Sequence, residues 1–159
     1  MEETIKLFKK AIAGEVMASA FYSLASEVTK DDEARMVFLE LSTMEDDHAQ
    51  SLVNTFKKAK GAPDFDGQGY LNELIKKDSG VSVENSETVR NGSLEEVLQL
   101  AINMENVAKK VYDQLADEAI DPDLKKYCIE LSAEEAAHAL QLTNTLNSVG
   151  MDAEDRPGL

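Results

Sequence analysis

Apolar residues recur three, four and seven positions apart along four long stretches of this chain, and they rarely alternate as a half-buried strand requires. The first stretch runs from about Glu3 to Thr29, with Phe8, Ile12, Ala18 and Tyr22 on one face. The second runs to about Lys60 and carries Phe38, Leu41 and Leu52 on its face. Leu98, Ile102 and Tyr112 mark the third, from Ser93 to about Ala119. Cys128, Leu131 and Leu142 mark the fourth, which ends near Gly150. The spacing predicts four amphipathic helices.

Cap chemistry supports these limits. Asp31-Asp32-Glu33 offers an N-cap and an acidic first turn to the second helix, and Gly61 stops it. Ser93-Leu94-Glu95-Glu96 is a capping box, and Asp121-Pro122 places a cap and a first-turn proline before the fourth helix. Turns of one to three residues make each pair an antiparallel hairpin, 3–60 and 93–149. The connection at 61–92, rich in Gly, Asp, Ser and Asn, has room for a short helix at Tyr70–Lys77 and is long enough to run the length of a bundle. The expectation is an all-α chain, one domain over 1–159, forming a four-helix bundle of two hairpins joined by one long crossover. The polar tail after Gly150 is expected to fray.

The hairpins repeat one another at an offset of 90 residues. Tyr22 matches Tyr112, Asp31 matches Asp121, Glu40-Leu41-Ser42 matches Glu130-Leu131-Ser132, and Asn54-Thr55 matches Asn144-Thr145. The same offset relates the chemistry-bearing residues. The chain has two histidines, and each follows a glutamate by three: Glu45/His48 and Glu135/His138. Glu15 and Glu105 lie thirty residues before those glutamates. A lone Glu-x-x-His is a weak signal. With 18 glutamates in 159 residues, both histidines carry one at that spacing by chance about once in a hundred.

All six side chains fall on otherwise apolar faces. Four ionised carboxylates there would repel each other and lose hydration, at several kcal/mol per uncompensated ion. Two divalent ions remove that conflict, because a charge of −4 meets +4. Carboxylates with imidazoles suit iron or manganese, with zinc and cobalt as substitutes. One Glu from each of two helices and Glu-x-x-His from each of the others is the ligand set of di-iron and di-manganese bundles.

Composition narrows the partners. A formal charge of −15, from 16 basic and 31 acidic residues, disfavours nucleic acid and anionic membranes. No run approaches the ~18 apolar residues of a membrane span, and the first residues lack a secretory signal, so the expected location is cytoplasmic. The single Cys128 excludes a disulfide framework or a cysteine-rich metal module and is expected to pack in the core, where Phe38 is its repeat partner. Asp46, Asp47 and Glu134 read as solvated helix charges. Glu134 is also a candidate partner for a second ring nitrogen of a ligand histidine, though its repeat mate Met44 could not act likewise.

From about Thr4 to Asn147 the chain resembles the ferritin-like di-iron superfamily, and within it the diiron-binding domain of rubrerythrins. Ala13-Gly14-Glu15-Val16-Met17-Ala18-Ser19 is similar to that family's first-helix motif, and Glu45/His48, Glu105 and Glu135/His138 match the others. The resemblance implies a ferritin-like bundle in which Glu45 and Glu135 bridge two metals. Glu15 and Glu105 would be terminal ligands, with one metal each for His48 and His138. It further implies that Tyr22, and by symmetry Tyr112, hydrogen-bonds a ligand carboxylate and serves as a redox relay, the alternative being simple core filling. Typical rubrerythrins carry a further glutamate where this chain has Ala108, so the symmetric six-ligand set is more like that of bacterioferritin. One cysteine cannot supply the four thiolates of a rubredoxin module.

The function implied is a di-iron oxidoreductase reducing hydrogen peroxide or dioxygen in oxidative-stress defence, with electrons from a separate, rubredoxin-like donor. The alternatives are a ferroxidase or iron-storage protein and a manganese catalase-like enzyme. A homodimer is expected, with the long crossover allowing exchange of hairpins.

Overall fold

A computed structural model describes residues 2–77 and 80–150. The tail beyond Gly150, expected to fray, lies outside the described residues. Within them the chain forms six helices: α1 Glu2–Val28, α2 Asp32–Lys58, α3 Gly67–Lys76, α4 Val83–Asn91, α5 Leu94–Glu118 and α6 Pro122–Val149.

The caps do what the sequence suggests. The Asp31 carboxylate accepts from the Ala34 N–H at 2.9 Å. Ser93 and Glu96 close a reciprocal capping box at the head of α5. Asp121 accepts from the N–H groups of Asp123 and Leu124 at the head of α6. Its other oxygen accepts from the Lys60 N–H at 2.8 Å, which ties the exit of the first hairpin to the turn of the second. Gly61 has φ 71°, a left-handed conformation that a side chain would strain.

α1 packs on α2 and α5 on α6; α1 also faces α5, and α2 faces α6. The helices therefore run α1-α2-α6-α5 around the bundle. The architecture is the expected all-α, ferritin-like bundle of two hairpins with one crossover. The crossover holds two helices where the sequence suggested one. α3 covers the expected Tyr70–Lys77 segment, starting three residues earlier, and leans on α1 and α2. α4 leans on α1 and α5. Ser82 caps α4, and its single buried residue, Val89, anchors it. Gly67 opens α3 where a Cβ would sit 2.9 Å from Phe8, so only glycine lets the crossover come this close to the core.

The apolar core is divided. One cluster gathers Phe8, Ile12, Leu52, Phe56, Leu115, Cys128 and Leu131. The other gathers Phe21, Phe38, Leu41, Leu98, Ile102 and Leu142. Each large side chain fully buried in these clusters contributes roughly 1.5–3 kcal/mol of transfer free energy. Cys128 lies where the sequence placed it, fully buried, and burial pushes its thiol up to about 12. No helix among the described residues is long and apolar enough to cross a membrane.

Candidate metal centre

Between the two apolar clusters lies a polar layer. α1 contributes Glu15, α2 Glu45 and His48, α5 Glu105, and α6 Glu135 and His138. The bundle thus brings together all six residues that the repeat singled out. Each carboxylate is no more than 2% exposed, and both histidines are buried.

Ligand atoms converge in two overlapping groups, each within 4.8 Å: Glu15, Glu45, His48 and Glu135, and Glu45, Glu105, Glu135 and His138. Glu45 and Glu135 belong to both groups. The other four belong to one each. The Nδ1 atoms of both histidines face the carboxylates, His48 3.1 Å from Glu135 and His138 3.1 Å from Glu45. The two rings lie nearly parallel, with centroids 5.9 Å apart.

Protein groups alone leave this layer short of partners. Glu15 Oε2, Glu105 Oε2, both oxygens of Glu135 and His48 Nδ1 are buried without an aligned hydrogen-bond partner among the described residues. Native interiors contain few such atoms, because each orphan costs roughly 1–3 kcal/mol. These five belong to residues of the two converging groups; a sixth orphan, His138 Nε2, is on the outer side of its ring. Hard and borderline donors in this number and charge fit a pair of divalent ions.

Where protons are the only counter-charges, the carboxyl groups diverge. Burial, with proton sharing toward Glu45, holds Glu15 well above the usual carboxyl range. Burial also lifts Glu105 to about 9, aided by the nearby Glu135 and Glu45 and opposed by His138. Burial pushes Glu45 upward too, but hydrogen bonds with Glu15, His138 and His48 outweigh it and Glu45 ends below the usual range. Glu135 is lowered in the same way, burial being outweighed by His138, His48 and Glu105. Burial by itself would lower the histidines. The facing carboxylates reverse that, raising His48 strongly and His138 to about 12.

The tyrosines cross the bundle. Tyr22 on α1 donates to Glu105 on α5, and Tyr112 on α5 donates to Glu15 on α1. This reciprocity sets α1 and α5 antiparallel and reproduces the 90-residue repeat in space. Burial, with the adjacent carboxylate charge, holds both phenols protonated as donors.

The model of the rubrerythrin family matches residues 6–146. The chain belongs to the rubrerythrin family. The search of curated proteins and that of solved structures returned no match. The family places the buried layer in a ferritin-like di-iron domain, and the geometry is compatible with two bound metal ions. Ala108, the departure from the usual rubrerythrin pattern, lies in the wall of a cavity of about 380 Å³ between α1 and α5. Gly14, Met17, Ala18, Met104 and Val107 line it, and all four carboxylates form its floor.

One contact was hard to read from the sequence. Glu134, read both as a solvated charge and as a candidate partner for a ligand histidine, lies with its Oε2 2.6 Å from His48 Nε2, as the second reading expects. Spacing along α6 could not reveal that pairing, which crosses from one helix to another. Asp46 likewise accepts from the Ser19 hydroxyl at 2.6 Å.

Proposed function

We propose that this rubrerythrin-family chain is a di-iron oxidoreductase that reduces hydrogen peroxide to water. The observation that carries the reading is the pair of overlapping ligand groups sharing Glu45 and Glu135 at the floor of an apolar cavity.

Glu15 and His48 would hold one ion, Glu105 and His138 the other, with Glu45 and Glu135 between them. Two ferrous ions held there would supply two electrons, so that one peroxide and two protons would give two waters. The protein's part is positional. Tyr22 and Tyr112 fix the carboxylates of Glu105 and Glu15 and remain protonated. Tyr22 is the residue proposed to relay an electron. The mostly apolar cavity, with the exposed Met17 and Val107 at its edge, gives a small neutral oxidant a path to the buried carboxylates.

A small neutral oxidant such as peroxide can cross the mostly apolar part of that lining at little desolvation cost. The proposal includes a separate one-electron donor, a rubredoxin-like protein being the kind expected, and a cytoplasmic homodimer. The test is metal analysis of protein loaded with iron, followed by anaerobic stopped-flow mixing with peroxide. About two ferrous irons per chain, oxidised faster by peroxide than by air, is the expected result. Rapid oxidation by air with a slow response to peroxide would move the assignment to a ferroxidase.

A further inference from the structure

The 90-residue repeat makes the two halves of the centre equivalent in their ligands and in their tyrosines. It fails at the outer nitrogen of the histidines. His48 Nε2 lies 2.6 Å from Glu134 Oε2 on the adjacent helix. The repeat mate of Glu134 is Met44, whose thioether is at best a weak acceptor. His138 Nε2 is buried and has no hydrogen-bond partner among the described residues.

Both rings turn Nδ1 toward the carboxylates, so ligation through Nδ1 requires the ring proton on Nε2. Glu134 Oε2, 2.6 Å away, is within reach of that proton; by accepting from it, Glu134 would orient the ring and make the inner nitrogen a better donor. His138 has no such support. The rest of the immediate ligand environment is matched: Tyr112 holds Glu15 as Tyr22 holds Glu105, and both shared carboxylates serve either half.

From this we infer that the two ion positions are unequal. The Glu15–His48 position is the tighter, the Glu105–His138 position is the weaker, and Glu134 is the positioning residue that separates them. The inference rests on the reading that the centre takes two divalent ions. Carboxylates that orient a ligand histidine are worth 10–100-fold in metal affinity. The Glu134 side chain is 50% exposed, which screens its charge and places the expected effect at the lower end, ~10-fold.

Cobalt(II) added to the metal-free chain tests this, followed by its visible absorption and by calorimetry. Two binding steps differing by ~10-fold or more are expected. Glu134→Gln should weaken the first step by ~10-fold and leave the second in place, so that the steps merge. Met44→Glu should tighten the second step. Two cobalt ions bound with one common constant would overturn the inequality, and a first step unmoved by Glu134→Gln would overturn the role of Glu134, each leaving the two-ion reading intact. Saturation below two ions per chain would overturn that reading and the inequality with it.

Discussion

The Tyr22 hydroxyl donates to Glu105 Oε1 at 2.6 Å, joining the first helix to the fifth across the polar layer. Removing the hydroxyl leaves a buried carboxylate oxygen without its donor. Tyr22→Phe is expected to lower the unfolding free energy by about 1–3 kcal/mol, read from the urea midpoint at constant m. Tyr112→Phe should cost a similar amount through Glu15. If Tyr22 relays electrons, its variant alone should also slow re-reduction by the donor, whereas a purely structural role predicts equal rates for both variants.

Ligand sharing separates the carboxylates into two kinds. Glu105→Ala should leave about one tightly held ion per chain after dialysis, because the Glu15–His48 group is intact. Glu45→Ala damages both groups and should leave less than one. Equal stoichiometry in the two variants would contradict the shared role of Glu45.

Stability of the chelated protein should fall as pH rises. Glu105 has a folded-state pKa raised from 4.5 to about 9. Its contribution is therefore complete below 4.5 and is lost as the pH climbs toward 9. His138, raised from 6.5 to about 12, acts in the same sense at higher pH. Glu45 and Glu135 are lowered and act oppositely, losing their contribution as pH falls below the usual carboxyl range. The urea midpoint of chelated protein should thus decline between about pH 5.5 and pH 9, and Glu105→Gln should flatten the decline. Metal uptake displaces protons, so affinity for the ions should rise over the same interval.

Gly14 stands in the middle of α1, and a Cβ there would meet no atom within 4 Å. Gly14→Ala should stabilise the chain by about 0.5–1 kcal/mol, since nothing obstructs it and the helix gains propensity. Ala108→Phe, by contrast, should fill the cavity and slow the reaction with peroxide while leaving metal stoichiometry unchanged. Loss of metal in Ala108→Phe would show that the cavity wall supports the ligands rather than the entry path.

The long helices, their caps and the six converging side chains were legible because each leaves a local trace. Asp31, Ser93 and Asp121 announce helix starts, and the three-four-seven spacing around Glu15 and Glu135 marks them as inward. α4 left almost none, because one buried Val89 cannot set up a period in a segment as polar as Val83–Asn91. Glu134 was legible as a candidate partner for a ligand histidine, but which histidine it meets was not. Its meaning comes from a histidine on a different helix, and comparison with Met44 argued against it. The cavity beside Ala108 arises from the gap between two helices, and a sequence pattern reports what fills a face, not what is left open.

The polar layer splits the apolar core into two, with consequences for how the helices can slide. Moving the second hairpin by one turn, about 5.4 Å, would drive Glu105 and Glu135 into the phenylalanines and leucines on either side. A continuous greasy seam would tolerate such slippage at small cost. Here the acids act as a detent, so the feature that would trap ions also selects a single alignment of the bundle.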